Sequence, residues 1–335
     1  MKQKIIKTLG STWGQRISIL AVIMIVMAFA QPAFFTFGNF KSILLQIAIY
    51  GIMACGMIFV ILVGGIDFSI GSMSALGCVI VAMHMSKHGI GAGGFIVSLL
   101  IALAAAVVLG IIHGVFDAQF GLPAFVVTLA TQYLVYGIAT EYTDGVYIHL
   151  TEPSGIYYWL GNAKLFNIPV SIIIFLVLAV IVGFVLSKTT YGRRIYAVGG
   201  NKDAAVLVGI NPKIIKISAY VICSITAVIG GVILSSQNLV ANYITGQGYE
   251  GTVMMAIVVG GISLTGGHGD IGGVIFGALL VGILNNIIIL LGISSDYAQF
   301  VQGVVIIIAV ALNVYSSRKS MGIVSPKKRT LKSGK

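Results

Sequence analysis

The sequence predicts an all-α polytopic membrane protein of about ten transmembrane helices, one of them short or re-entrant. Three observations carry that expectation. Hydrophobic residues fill 58% of the 335 positions and charged residues only 9%, whereas a soluble domain carries roughly 25% charged residues. Ten apolar segments approach the roughly 20 residues that a helix needs to cross a bilayer. Most of the 20 Lys and Arg residues gather in three places beside those segments, as the positive-inside rule describes. The 43 glycines suit helices packed closely in lipid, where small residues let backbones approach. Six prolines and no G-X-Y period exclude a collagen-like chain. A soluble enzyme, a secreted disulfide scaffold and a nucleic-acid binder all fit poorly.

The elements follow in order. Lys2, Lys4, Lys7 and Arg16 precede the first apolar run. Ala28-Phe29-Ala30 at its end resembles a signal-peptide cleavage site, but the many spans that follow favour a retained first helix. The expected spans are 17–36, 43–63, 70–86, 93–116, 122–140, 168–187, 214–236, 251–265, 272–292 and 298–315. An even count places both termini on one side, the cytoplasm. The basic segment 188–216 (Lys188, Arg193, Arg194, Lys202, Lys213, Lys216) then lies there after six spans, as does a basic tail over 316–335. Residues 141–167 fall outside, with Tyr147, Tyr157, Tyr158 and Trp159 expected as interfacial anchors. No loop could host a soluble domain, so 1–335 reads as a single transmembrane domain in the inner membrane. Segment 251–265 is short and glycine-bounded, which suits a half-helix lining a cavity. Gly64-Gly65-Ile66-Asp67-Phe68-Ser69 and Gly260-Gly261-Ile262-Ser263-Leu264-Thr265 interrupt apolar runs in different halves, a pattern that can mark repeated halves of a transporter.

Little in the chain looks catalytic. It has no G-x-x-x-x-G-K-[ST] phosphate loop, no H-E-x-x-H and no G-x-S-x-G. The five histidines are scattered, and Cys55, Cys78 and Cys223 have no metal-ligand spacing. No catalytic residue, metal site or resident cofactor is expected. His113 and Asp117, one helical turn apart near a span end, read as a solvated pair. Asp67 alone is embedded between apolar segments; its carboxylate should be satisfied by backbone N–H groups or a helix N-terminus, with a pathway role second. In the basic segment, Asn201 caps a short helix over 202–208 and Asp203 complements its dipole. Gly209 ends that helix and Pro212 prevents its continuation. Such a helix, showing small alanines, suits another protein's groove.

Here the chain resembles a family. The run from Thr190-Tyr191-Gly192-Arg193 through Tyr196-Ala197-Val198-Gly199-Gly200-Asn201 to Gly209-Ile210 is similar to the T-x-G-R-x-x-Y-A-x-G-G-N-x-x-A-A-x-x-x-G-I signature of permease subunits of ribose/galactose/arabinose-type ABC monosaccharide importers. Gly65-Ile66-Asp67-Phe68-Ser69-Ile70-Gly71-Ser72 resembles G-I-D-L-S-V-G-S, and Pro123 to Leu129 resembles P-x-F-I-x-T-L. The run Gly260 to Gly269 resembles G-G-x-S-L-x-G-G-x-G, and Leu284-Asn285-Asn286 resembles L-N-N. The chain departs where L-D-A-I-A-A usually follows Glu250, having Gly251-Thr252-Val253-Met254-Met255-Ala256 instead.

The resemblance implies a membrane subunit that pairs with a second permease subunit, identical or paralogous. It also implies a separate ATP-binding ABC ATPase and a periplasmic or lipid-anchored sugar-binding protein. Gly192, Arg193, Gly199, Gly200, Asn201, Ala204, Ala205 and Gly209 would couple ATPase closure to the spans. A monosaccharide path needs hydrogen-bonding side chains, and Asp67, Ser69, Thr128, Gln132, Asn285 and Asn286 are the candidates. Gln46, Gln299 and Gln302 are further ones, with Gln237 and Asn238 near the outer face. Two rivals compete: an ion-coupled secondary carrier, for which Asp67 is the lone ionisable candidate, and a membrane enzyme needing clustered His or acidic residues.

Overall fold

The computed structural model describes residues 12–88, 91–150 and 155–293, with single positions between 297 and 307. Most of the expected span 298–315 and all of the tail 316–335 lie outside those described residues, as do Gln299 and Gln302. The first described elements are α1 (Thr12–Ala30), a 3-10 turn at Pro32–Phe35, and α2 (Phe37–Leu62). Next come α3 (Ile70–His88), α4 (Ala92–Ala118), α5 (Ala124–Tyr142), α6 (Gly155–Asn162) and α7 (Val170–Lys188). Two short helices, α8 (Thr190–Gly200) and α9 (Lys202–Leu207), lead to α10 (Pro212–Asn238), α11 (Tyr249–Val259) and α12 (Ile271–Leu290). Among the described residues six helices are long and apolar enough to cross a membrane: α2, α3, α4, α7, α10 and α12. The protein is a helical polytopic membrane protein. Helix also fills the other expected spans that are described, although the apolar part of α1 is only Leu20–Ala30 and α11 is an 11-residue helix.

Burial sorts these helices into an inner and an outer set. In α2, 83% of the most apolar window is buried; in α4, only 28% is, although α4 is the more hydrophobic. The core forms where α10 packs on α2, α3 and α4, and where α12 packs on α2 and α11. Close approach depends on small residues. A Cβ on Gly277 would overlap the carbonyl of Ala256, and one on Gly273 would meet that of Gly260, so this small-xxx-small pair packs α12 on α11.

The stretch 141–167 corrects an expectation. It contains α6 and takes part in two ladders of two-residue strands. Strand β1 (Ile148–His149) pairs with β4 (Val240–Ala241), and β2 (Lys164–Leu165) pairs with β3 (Ile168–Pro169). Tyr147, Tyr158 and Trp159 are exposed as anchors would be, but Tyr157 is 2% exposed. Its hydroxyl donates to Ser235 Oγ at 2.9 Å, and Gly161 N donates to Ser236 Oγ at 3.0 Å. Tyr157 therefore fixes α6 to the end of α10; a buried phenol needs a polar partner, and α10 supplies one.

The pair His113 and Asp117 is a second correction, since neither side chain is solvated. His113 is fully buried, its ring edge-on to Tyr220 with centroids 6.2 Å apart. Asp117 bonds Lys216 Nζ at 2.9 Å and accepts from the Tyr220 hydroxyl at 3.0 Å. Gly110 and Gly114 explain the burial. Backbone atoms of Val221 and Ile217 occupy the places of their missing side chains, so α4 and α10 touch closely enough to enclose what lies between them.

Candidate functional site

The site builds from two interruptions of helix. The first, after α2, spans residues 63–69; the second, after α11, spans 260–270. Each begins with the same C-terminal motif. Gly64 N donates to Ile61 O and Gly65 N to Val60 O; Gly261 N donates to Val258 O and Ile262 N to Ile257 O. Gly64 and Gly261 sit at φ of 79° and 82°, a left-handed turn that only glycine takes without strain. The equivalence is thus Gly64 with Gly261, one residue away from the register that the sequence match suggests. Each interruption also closes on an aspartate. Asp67 Oδ1 accepts from Ser69 N at 2.8 Å and Ser69 Oγ at 2.6 Å before α3, and Asp270 Oδ1 accepts from Gly273 N at 2.8 Å to cap α12.

The two interruptions meet at one end of the bundle, where Gly267 N donates to Leu62 O at 2.9 Å. Helix α8 lies on this junction. The Cβ missing from Gly199 would overlap the Leu62 carbonyl, and Gly267 stands against the backbone of Gly200. Tyr196 donates to Gly269 O at 2.7 Å, and Tyr191 shares a 2.7 Å hydrogen bond with Ser218 of α10. Burial raises both phenols above their usual range, aided for Tyr196 by the Asp270 charge, so both remain protonated at physiological pH. Thr189 caps α8 by accepting from Gly192 N at 3.1 Å. Gly192 has no room for a side chain beside the Leu186 and Val185 carbonyls, which lets α8 fold back against the end of α7. From the second interruption's other side, Arg16 donates to Gly260 O at 2.6 Å and lies over the Phe276 ring. It anchors α11 beyond any role as a topology charge.

The short helix matches its sequence reading at its ends. Asn201 Oδ1 accepts from Ala204 N at 2.9 Å, and Gly209 turns left-handed at φ 81°. Its face differs from expectation. Ala204 is exposed but Ala205 is buried at 2%, while Val206, Leu207 and Val208 are exposed, Leu207 at 87%. The outward apolar surface of α9 is therefore its C-terminal turn. Ile210 N bonds back to the Ala205 carbonyl and closes the end of the helix beside it. Arg193 and Arg194 are exposed on the neighbouring α8. Helix α8 itself escaped the sequence reading, although Tyr191, Ile195 and Val198 recur at the spacing of one helical face.

The remaining candidates lie in separate places, and most of them are buried. Asp67 is 1% exposed and its Oδ2 has no hydrogen-bond partner; Ser69 and Thr128 are fully buried. Thr128 Oγ1 accepts from Phe68 N at 3.1 Å and lies 3.3 Å from Ile66 O, clamping the first interruption to α5. Asn286 and Asn39 exchange two hydrogen bonds, at 2.7 and 2.9 Å, and Asn285 donates to the Tyr50 hydroxyl at 3.1 Å. Both asparagines therefore bridge α12 to α2. Gln132 donates to Glu250 at 3.1 Å, a partnership 118 residues apart that no local pattern signals. Gln46 Oε1 is buried without a hydrogen-bond partner. Gln237 reaches Ser171 at 3.4 Å, and Asn238 is exposed.

Comparison with known proteins places this architecture. A family model described as the branched-chain amino acid transport system permease component matches residues 39–310. The ribose import permease protein of Escherichia coli strain K12 is 38% identical over 300 residues, covering 88% of this chain and 91% of that protein. That of Bacillus subtilis strain 168 is 37% identical over 294 residues, covering 88% and 90%. The L-arabinose transport system permease protein of Escherichia coli strain K12 is 34% identical over 315 residues, covering 92% and 93%. No solved structure matches. With most of its length matched by the model and by relatives of similar size, the chain belongs to the family of transport-system permease components.

Proposed function

We propose that this chain is the membrane-spanning subunit of an ATP-driven ABC importer that moves a monosaccharide of the ribose or arabinose class across the inner membrane. The observation that carries the reading is the unit formed by α8 and α9. One face of it grips both helix interruptions through Gly199, Gly200 and Tyr196; the other bares Val206, Leu207 and Val208 beside exposed Arg193 and Arg194. A partner that pushed on that face would move both interruptions together. The ABC ATPase is that partner; it binds the ATP, so this chain needs no cofactor of its own.

Around this unit the chain is a single domain, 1–335, of about ten spans. Both termini, the coupling segment 188–216 and the basic tail 316–335 are cytoplasmic, in accord with the placement of positive charge. A second permease subunit completes the path, and a periplasmic or lipid-anchored binding protein delivers the sugar from outside. The chain acts as a transport subunit and not as an enzyme. Asp67, Ser69, Thr128, Gln132, Asn285 and Asn286 lie along or brace the route of the sugar.

Purification of the chain from its native membranes in mild detergent tests this. The expected eluate contains a co-purifying ATPase that Leu207→Arg removes while the chain stays inserted and folded. Ala205→Arg is the poorer variant, because its charge would enter packed protein. An intact preparation that yields this chain alone would overturn the importer reading and favour an ion-coupled carrier.

A further inference from the structure

Polar atoms inside an apolar bundle are expensive to leave unpartnered, and each such atom calls for an explanation. Two of them converge on one spot. Glu250 stands in the first turn of α11 and its Oε1 accepts from Gln132 Nε2 at 3.1 Å. Its buried Oε2 has no hydrogen-bond partner, and the buried Tyr136 hydroxyl has none of acceptable geometry. Both atoms border Gly71 of α3. A Cβ on Gly71 would overlap Glu250 Oε2 and lie 2.8 Å from the Tyr136 hydroxyl oxygen. The Gly246 carbonyl crowds the same point, so glycine at position 71 is what lets both polar atoms reach the α3 backbone.

Its depth suits a route through the bundle. Gln132 and Tyr136 are one turn apart on α5, and Gln132 lies eight residues, about 12 Å, into that helix. Helix α11 is short, about 16 Å at 1.5 Å per residue, and starts within the protein after the irregular backbone of 242–248. Such backbone is tolerated at membrane depth where it is buried in protein or lines a cavity. The chemistry narrows the ligand. One carboxylate oxygen offers acceptor sites only, the phenol can donate or accept, and the amide already orients the carboxylate. An anion would be repelled, and a metal ion would find one acid and two neutral groups. A neutral molecule with adjacent hydroxyl groups fits all three.

We propose that Glu250 and Tyr136 hold hydroxyl groups of the passing sugar above Gly71, with Gln132 positioning the Glu250 carboxylate. The proposal rests on the importer reading and locates the substrate contact within it. It also places selectivity in a residue pair that the path candidates from sequence omit.

The test reconstitutes the chain with its ATPase in liposomes, adds the binding protein, and measures D-ribose moved and ATP hydrolysed. Glu250→Gln and Tyr136→Phe should each lower sugar moved per ATP by about tenfold, the size of one lost charged or strong hydrogen bond, with hydrolysis within about twofold of wild type. Unchanged uptake in both Glu250→Gln and Tyr136→Phe would overturn the proposal. Uptake and hydrolysis falling in parallel would also overturn it, since that marks a role in folding or assembly. Wild-type liposomes that hydrolyse ATP and move neither ribose nor arabinose would overturn the importer reading itself, and the site with it.

Discussion

The two helix interruptions share their local chemistry and differ in what surrounds them. Both start with a left-handed glycine and end with an aspartate that accepts backbone hydrogen bonds. The first is turned into the protein interior. Its Asp67 is 1% exposed and Thr128 of α5 holds it from the side. The second lies at the basic end, where Asp270 is exposed and Tyr196, Gly200 and Arg16 hold it. The same turn thus leads to a buried aspartate in one case and an exposed one in the other. The difference comes from the neighbours, because a backbone motif of this kind fixes chain direction without fixing burial.

Substitution at the junction should break the comparison most strongly. Gly199→Val would drive a side chain into the Leu62 carbonyl, and backbone cannot yield as a flexible side chain can. Overpacking of this sort costs about 3 kcal/mol or more. The expected result is a clear fall in the thermal unfolding temperature in detergent together with loss of uptake. If only uptake falls, the contact transmits movement without supporting the fold.

Asp67→Ala comes next. It leaves the buried Ser69 N–H and hydroxyl without their acceptor, at about 1–3 kcal/mol, measured by denaturation of the purified chain. Lys216→Ala should be similar, about 1–3 kcal/mol, since it strips the salt-bridge partner from a largely buried Asp117. Thr128→Val keeps the side-chain shape and removes the clamp, and should cost about 1 kcal/mol while leaving α8 intact. Asp270→Ala, the exposed counterpart of Asp67→Ala, should cost about 1 kcal/mol or less, the value of a helix cap. Equal losses at Asp67 and Asp270 would show that the difference in burial has no energetic consequence, and would erase the distinction between the two interruptions.

The sequence by itself determined the class, most helices, and several of their ends. Apolar runs, the Asn201 cap and the Gly209 stop are local features whose free energies depend on neighbouring residues. The positive φ of Gly64 and Gly261 was foreshadowed in the same way by paired glycines. What only the tertiary structure decided was which face of each helix is inward. In water, a polar face reports exposure; in lipid, the tails are as apolar as leucine, so a helix can be hydrophobic all round wherever it lies. That is why α4, with a mean hydropathy of 3.0, is peripheral while α2, at 2.3, is central. It is also why Ala205 could be read as outward and Asp117 as solvated. The partnerships of Gln132 with Glu250, Asn39 with Asn286 and Arg16 with Gly260 each span more than a hundred residues. Their geometry arises only when separate helices are packed, and no periodicity within one segment encodes it.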